Sequence, residues 1–110
     1  MDKKSVTDLT SFQTFIKENN YVIVKVSADW CGPCKRIESD VSKMCETLND
    51  TIKYITLDVN EHDEICDFYD VSRVPTFLNF IKSEKTDVHV GANLEKIQAF
   101  FDKTTTHASF

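Results

Sequence analysis

Apolar and polar positions alternate along this chain at two periods, and the switches between them outline eight elements. Phe12, Phe15 and Ile16 recur at spacings of three and four, which predicts a short amphipathic helix. Thr10-Ser11-Phe12-Gln13 has capping-box form, with Thr10 as the expected N-cap, and the helix should end near Asn19-Asn20. Tyr21 to Ser27 is rich in β-branched residues and predicts a buried strand. Cys31 to Leu48 returns to helical spacing through Cys34, Ile37, Val41, Met44 and Leu48. A second strand is expected over Ile52 to Val59, where Ile52, Tyr54, Thr56 and Asp58 alternate with Lys53, Ile55, Leu57 and Val59. A short helix over Asp63 to Tyr69, strands over Thr76 to Ile81 and Thr86 to Val90, and a helix over Leu94 to Lys103 complete the pattern.

The order is α-β-α-β-α-β-β-α, with an edge strand also expected near Val6. A strand–helix–strand unit implies a parallel pair with a right-handed crossover. The short Lys82-to-Lys85 connection implies an antiparallel pair. These fit an α/β fold, a mixed sheet of four to five strands with helices on both faces. Residues 1–103 make one domain, and the polar stretch Thr104 to Phe110 is expected to be a disordered tail.

Composition narrows the function. The 110 residues suffice for one core, and the net charge of −5 argues against a nucleic-acid partner. Tyr21 to Val26, the most apolar stretch, is interrupted by Lys25 and too short to span a bilayer. Met1 to Ser5 is not followed by an apolar signal segment. A cytoplasmic monomer without membrane association or bound cofactor is therefore expected.

Four cysteines stand at 31, 34, 45 and 66. In a reducing compartment a close pair is more often catalytic or metal-binding than structural. Disulfide exchange needs a thiolate that attacks and a second thiol that resolves the mixed disulfide. Cys31 and Cys34 at the start of a helix supply both, because free N–H groups and the helix dipole stabilise a thiolate at the first position. Cys31 is the expected nucleophile and Cys34 the resolving thiol, joined in a redox-active disulfide. Pro33 is tolerated in a first turn, Gly32 leaves room for a substrate backbone, and Trp30 offers a flat apolar docking surface. Structural zinc is the competing use of this spacing, but on one continuous helix Cys34 and Cys45 would lie about 16 Å apart.

Beyond chemistry, the hexamer Trp30-Cys31-Gly32-Pro33-Cys34-Lys35 resembles the active-site signature of the thioredoxin family. Val74-Pro75-Thr76 is similar to its second signature, and Val90-Gly91-Ala92-Asn93 to its third substrate-groove loop. Ser27-Ala28-Asp29-Trp30 resembles the eukaryotic branch, and the likeness in element order and motif spacing runs from about Val6 to Lys103. The resemblance implies a thioredoxin fold that acts on protein disulfides. Val74, Pro75 (in cis) and Gly91 would hold the substrate strand. An NADPH-dependent thioredoxin reductase would be the electron donor.

The chain departs from that family at the strand before the motif. The family's buried Asp, six residues ahead of the first Cys, is Lys25 here, its companion lysine falls at Thr56, and the helix-kinking proline is Ser39. As an ammonium, Lys25 would stabilise thiolates and make the pair more oxidising. As a desolvated amine it could take the proton of Cys34. Facing outward, it would touch nothing catalytic. Three functions stay open on these grounds: a reductant, a more oxidising oxidant or isomerase, and a binding module with incidental redox activity. Cys45 and Cys66 are either small buried hydrophobes or sites of regulatory oxidation. Lys35, Arg36 and Arg73 flank the active-site loops and would favour acidic substrates if they are more than a solvated face. The histidines at 62, 89 and 107 are not placed to serve as a catalytic base.

Overall fold

The computed structural model describes residues 6–108. The elements follow the expected order: α1 (Leu9–Glu18), β1 (Tyr21–Ser27), α2 (Gly32–Glu46), β2 (Ile52–Asp58), α3 (Asp63–Phe68), β3 (Thr76–Ile81), β4 (Glu84–Val90) and α4 (Leu94–Ala108). The sheet order is β2-β1-β3-β4. β1 runs parallel to β2 and antiparallel to β3, and β3 pairs antiparallel with β4.

β1 is central, and five of its seven residues are buried. Its alternation assigns the two layers. Val22, Val24 and Val26 pack with Phe12 and Ile16 of α1, Ile65 of α3 and Phe80 of β3. Ile23 packs on the other face with Ile37 and Val41 of α2 and with Ile97 and Phe101 of α4. Helices α1 and α3 thus cover one face, and α2 and α4 the other. By the same alternation Lys25 falls on the α2 face, directly behind the cysteine motif.

Several boundaries differ from those expected. Asp8, not Thr10, caps α1: its carboxylate accepts from the Ser11 backbone N–H at 2.9 Å, and Ser11 Oγ accepts from the Asp8 N–H at 3.0 Å. Hydrogen bonding of the Ser11 backbone N–H and side chain to the Asp8 carboxyl lowers its pKa from the ordinary range. Val6 is buried in the first core but lies in no strand, so the sheet has four strands among the described residues. The β3–β4 connection is only Lys82-Ser83, both at positive φ (53° and 76°), as a two-residue type I′ hairpin requires.

The largest correction concerns the expected tail. α4 continues through Thr104 to Ala108 because Thr104 is fully buried and its hydroxyl accepts from Asn79 Nδ2 of β3 at 2.6 Å. The remaining tail residues, 109 and 110, lie outside the described residues. No described helix is long and apolar enough to cross a membrane.

Candidate active site

Cys31 is the N-cap of α2, with extended backbone angles, and Pro33 occupies the first turn. Proline suits that position because a first-turn N–H has no partner within the helix. Cys31 Sγ accepts from the Cys34 backbone N–H at 3.1 Å. The two sulfurs form a disulfide, with Cα atoms 5.3 Å apart. Both cysteines are only 3% exposed, so exposure does not separate them. Their surroundings do: Cys31 sits at the positive end of α2, whereas Cys34 faces inward toward Lys25.

Three loops meet at this disulfide. Ala28, Cys31 and Cys34 form a small core of their own, against which Val59 and Val74 pack. The Val74–Pro75 peptide bond is cis and Pro75 is buried. The Pro75 carbonyl accepts from the Gly91 N–H at 2.9 Å, which ties the third loop to the second. Gly91 has φ +119°, a conformation that L side chains rarely adopt. Gly32 faces open space, with nothing within 4 Å of where a Cβ would stand. Trp30 is 69% exposed. With Val74, Arg73, Asp63 and Asp67 it lines a groove of about 460 Å³ beside the motif. The sequence-expected substrate residues therefore surround one site.

Lys25 is 5% exposed, which excludes the outward-facing alternative. Burial lowers its pKa from 10.5, and the charge of Glu38 opposes that shift. Lys25 and Cys34 line a cavity of about 130 Å³ together with Glu38. Sequence reasoning passed over Glu38, although a residue four positions after Cys34 must share its helix face. Thr56 pairs with Lys25 across the parallel ladder.

The remaining cysteines are elsewhere. Cys45 packs at the α2–α4 core and Cys66 in the α1–α3 core, so the four cysteines fall in three separate clusters. Burial pushes both thiols up to about 11, with nearby Asp67 and Asp63 adding to the effect at Cys66. Such thiols are poor nucleophiles at neutral pH, which disfavours regulatory oxidation. Lys35, Arg36 and Arg73 are exposed around the motif.

Comparison with known proteins decides the family. The thioredoxin family model matches residues 3–103. The chain belongs to the thioredoxin family. It is 38% identical over 100 residues to Thioredoxin-2 of Pyricularia oryzae, covering 88% of this chain but 58% of that protein. It is 34% identical over 97 residues to thioredoxin of Gallus gallus, covering 86% and 91% of the two chains. The solved structure of Plasmodium falciparum thioredoxin superposes with a TM-score of 0.83 at 32% identity, over 89% of this chain and 95% of that one. Like other thioredoxins, the chain is a protein thiol–disulfide oxidoreductase, and its active pair is Cys31–Cys34.

Proposed function

We propose that the protein reduces disulfides in protein substrates, with Cys31 as the attacking thiolate and Cys34 as the resolving thiol. The observation that carries this assignment is the hydrogen bond from the Cys34 N–H to Cys31 Sγ at the N-cap of a 15-residue helix. In the reduced protein that donor and the helix dipole favour negative charge on Cys31 rather than on Cys34.

The thiolate attacks one substrate sulfur, and the other substrate sulfur leaves with the electron pair. Cys34 then attacks Cys31 Sγ, closes the Cys31–Cys34 disulfide and frees the reduced substrate. Both electrons come from the cysteine pair, so the cycle calls for no bound cofactor. Trp30, Gly32, Pro33, Val74, Pro75 and Gly91 bind the substrate strand in this scheme. Gly32 and Gly91 keep the approach open, Pro33 stiffens the motif loop, and Trp30 with Val74 supplies apolar contact. Lys25 acts from behind, on the resolving thiol.

The proposed electron donor is an NADPH-dependent thioredoxin reductase, and the proposed compartment the cytoplasm. Two cysteines left free, Cys45 and Cys66, suit reducing surroundings. The test is a trapping experiment with a disulfide-bonded protein such as insulin. Cys34→Ser should accumulate a covalent adduct on Cys31, released by dithiothreitol, and Cys31→Ser should accumulate none. An adduct on Cys34 in the Cys31→Ser protein, with none on Cys31 in Cys34→Ser, would reverse the assignment.

A further inference from the structure

Lys25 shares its cavity with a carboxylate as well as a thiol. Cys34 and Glu38 leave the same face of α2, four residues apart, and Lys25 meets them from β1. Lys25 and Cys34 are almost wholly buried, whereas Glu38 is exposed, so the cavity connects the resolving thiol to the surface.

The other polar groups near this cavity are Ser27 on its wall, Asp29 and Lys35 at its mouth, Cys45 further along α2, and Tyr54 on β2. Thr56 faces Lys25 across the β1–β2 ladder, and Phe77 of β3 closes the other side. Cys45 and Tyr54 keep their protons through the neutral range, because burial raises both pKa values. Of the two carboxylates, Glu38 is the one whose charge acts on Lys25.

We propose that Glu38 is the proton acceptor for the resolving thiol, and that the Lys25 ammonium positions it. The proposal rests on the assignment of Cys34 as that thiol. In the mixed disulfide, Cys34 Sγ–H passes its proton to the Glu38 carboxylate across the cavity. The Cys34 thiolate then attacks Cys31 Sγ. The Cys31–Cys34 bond forms, the bond from Cys31 to the substrate sulfur breaks, and that sulfur departs as a thiolate with the electron pair. Glu38 gives its proton to solvent.

Charge bookkeeping favours this arrangement. Before transfer the ammonium faces a carboxylate, and afterwards it faces a thiolate. The triad is neutral in both states, so negative charge moves inward without ever being left unpaired in a poorly solvated site. The family's acid stands on the strand at position 25. Here the strand supplies the cation and the helix supplies the acid.

The resolving step can be watched on its own. Reduced protein mixed with Ellman's reagent, an aryl disulfide, releases one thionitrobenzoate when Cys31 attacks and a second when Cys34 resolves. General-base help is worth about 10²–10⁴-fold when complete, so Glu38→Gln should slow the second release at least about tenfold near pH 7. The first release should be unchanged, which also reports an intact fold. The gap should close as pH rises past the ordinary thiol pKa of about 8.5, where hydroxide serves as base. Glu38→Asp should keep the pH profile of the parent. In Lys25→Met, adding Glu38→Gln should cost little further rate, because the pair acts as a unit.

A second release in Glu38→Gln at the parent's rate and pH profile would overturn the proposal, as would independent, multiplicative losses in the double variant. Failure of the underlying assignment would look different: Cys31→Ser, rather than Cys34→Ser, would be the variant that gives the single prompt release.

Discussion

Replacing Thr104 by Val tests whether the last turns of α4 belong to the core. The two side chains have nearly the same shape and both are β-branched, so packing and helix propensity change little. What is lost is the hydroxyl that accepts from Asn79 Nδ2 at 2.6 Å, between residues 0% and 1% exposed. Asn79 Oδ1 already has no hydrogen-bond partner, so the substitution would strand the whole amide in the core. A buried donor left unsatisfied costs about 1–3 kcal/mol. At roughly 4 °C per kcal/mol in a domain this size, melting should fall by about 4–12 °C. Replacing both partners by apolar groups removes the penalty, so Asn79→Leu combined with Thr104→Val should recover most of the loss. Thermal and urea unfolding of the parent, both single variants and the double variant give the coupling directly. A Thr104→Val protein melting within about 1 °C of the parent would refute the reasoning and return this segment to the status of a frayed tail.

Two further predictions follow from backbone and thiol chemistry. Gly91→Ala should destabilise the protein by about 1–3 kcal/mol through conformational strain alone, whereas Gly32→Ala, with open space and no positive φ, should stay within about 0.5 kcal/mol in urea unfolding. The Cys45 and Cys66 thiols, normally near 9.0, hold their protons up to about 11 when folded, so the stability they contribute is complete below pH 9 and declines as pH rises toward 11. The lowered pKa of Lys25 slopes the opposite way, so the comparison is with Cys45→Ala/Cys66→Ala, whose stability should fall less across that window, by about 1–3 kcal/mol for each thiol. Equal slopes in the parent and this variant would contradict the burial argument.

The parts of the molecule legible from sequence were those where chemistry is local. Trp30 to Lys35 and Val74 to Thr76 announce themselves because each is a short segment with residue types of one use. The apolar run of β1 was equally plain, since a central strand buries both faces. The start of α1 was misplaced because Asp8 with Ser11 and Thr10 with Gln13 are both acceptable caps, and the structure forms the box at Asp8 and Ser11. The end of α4 was lost because Thr104-Thr105-Thr106 reads as a polar tail. Their hydroxyls instead bond back to the carbonyls of Phe100, Phe101 and Asp102, and Thr104 also meets Asn79. Glu38 was missed for a related reason. Its helical relation to Cys34 is visible in the sequence, but its meeting with Lys25 depends on how α2 lies across β1.

The reduction potential of the Cys31–Cys34 couple, measured by equilibration against a glutathione buffer, tests the central claim most directly. An unpaired Lys25 ammonium would stabilise the reduced, thiolate form and raise the potential, whereas one neutralised by Glu38 leaves the pair a reductant. A value near about −270 mV, the potential of thioredoxin itself, is therefore expected. A value above about −200 mV, toward the range of disulfide isomerases, would contradict it and make oxidation or isomerisation the function of this site.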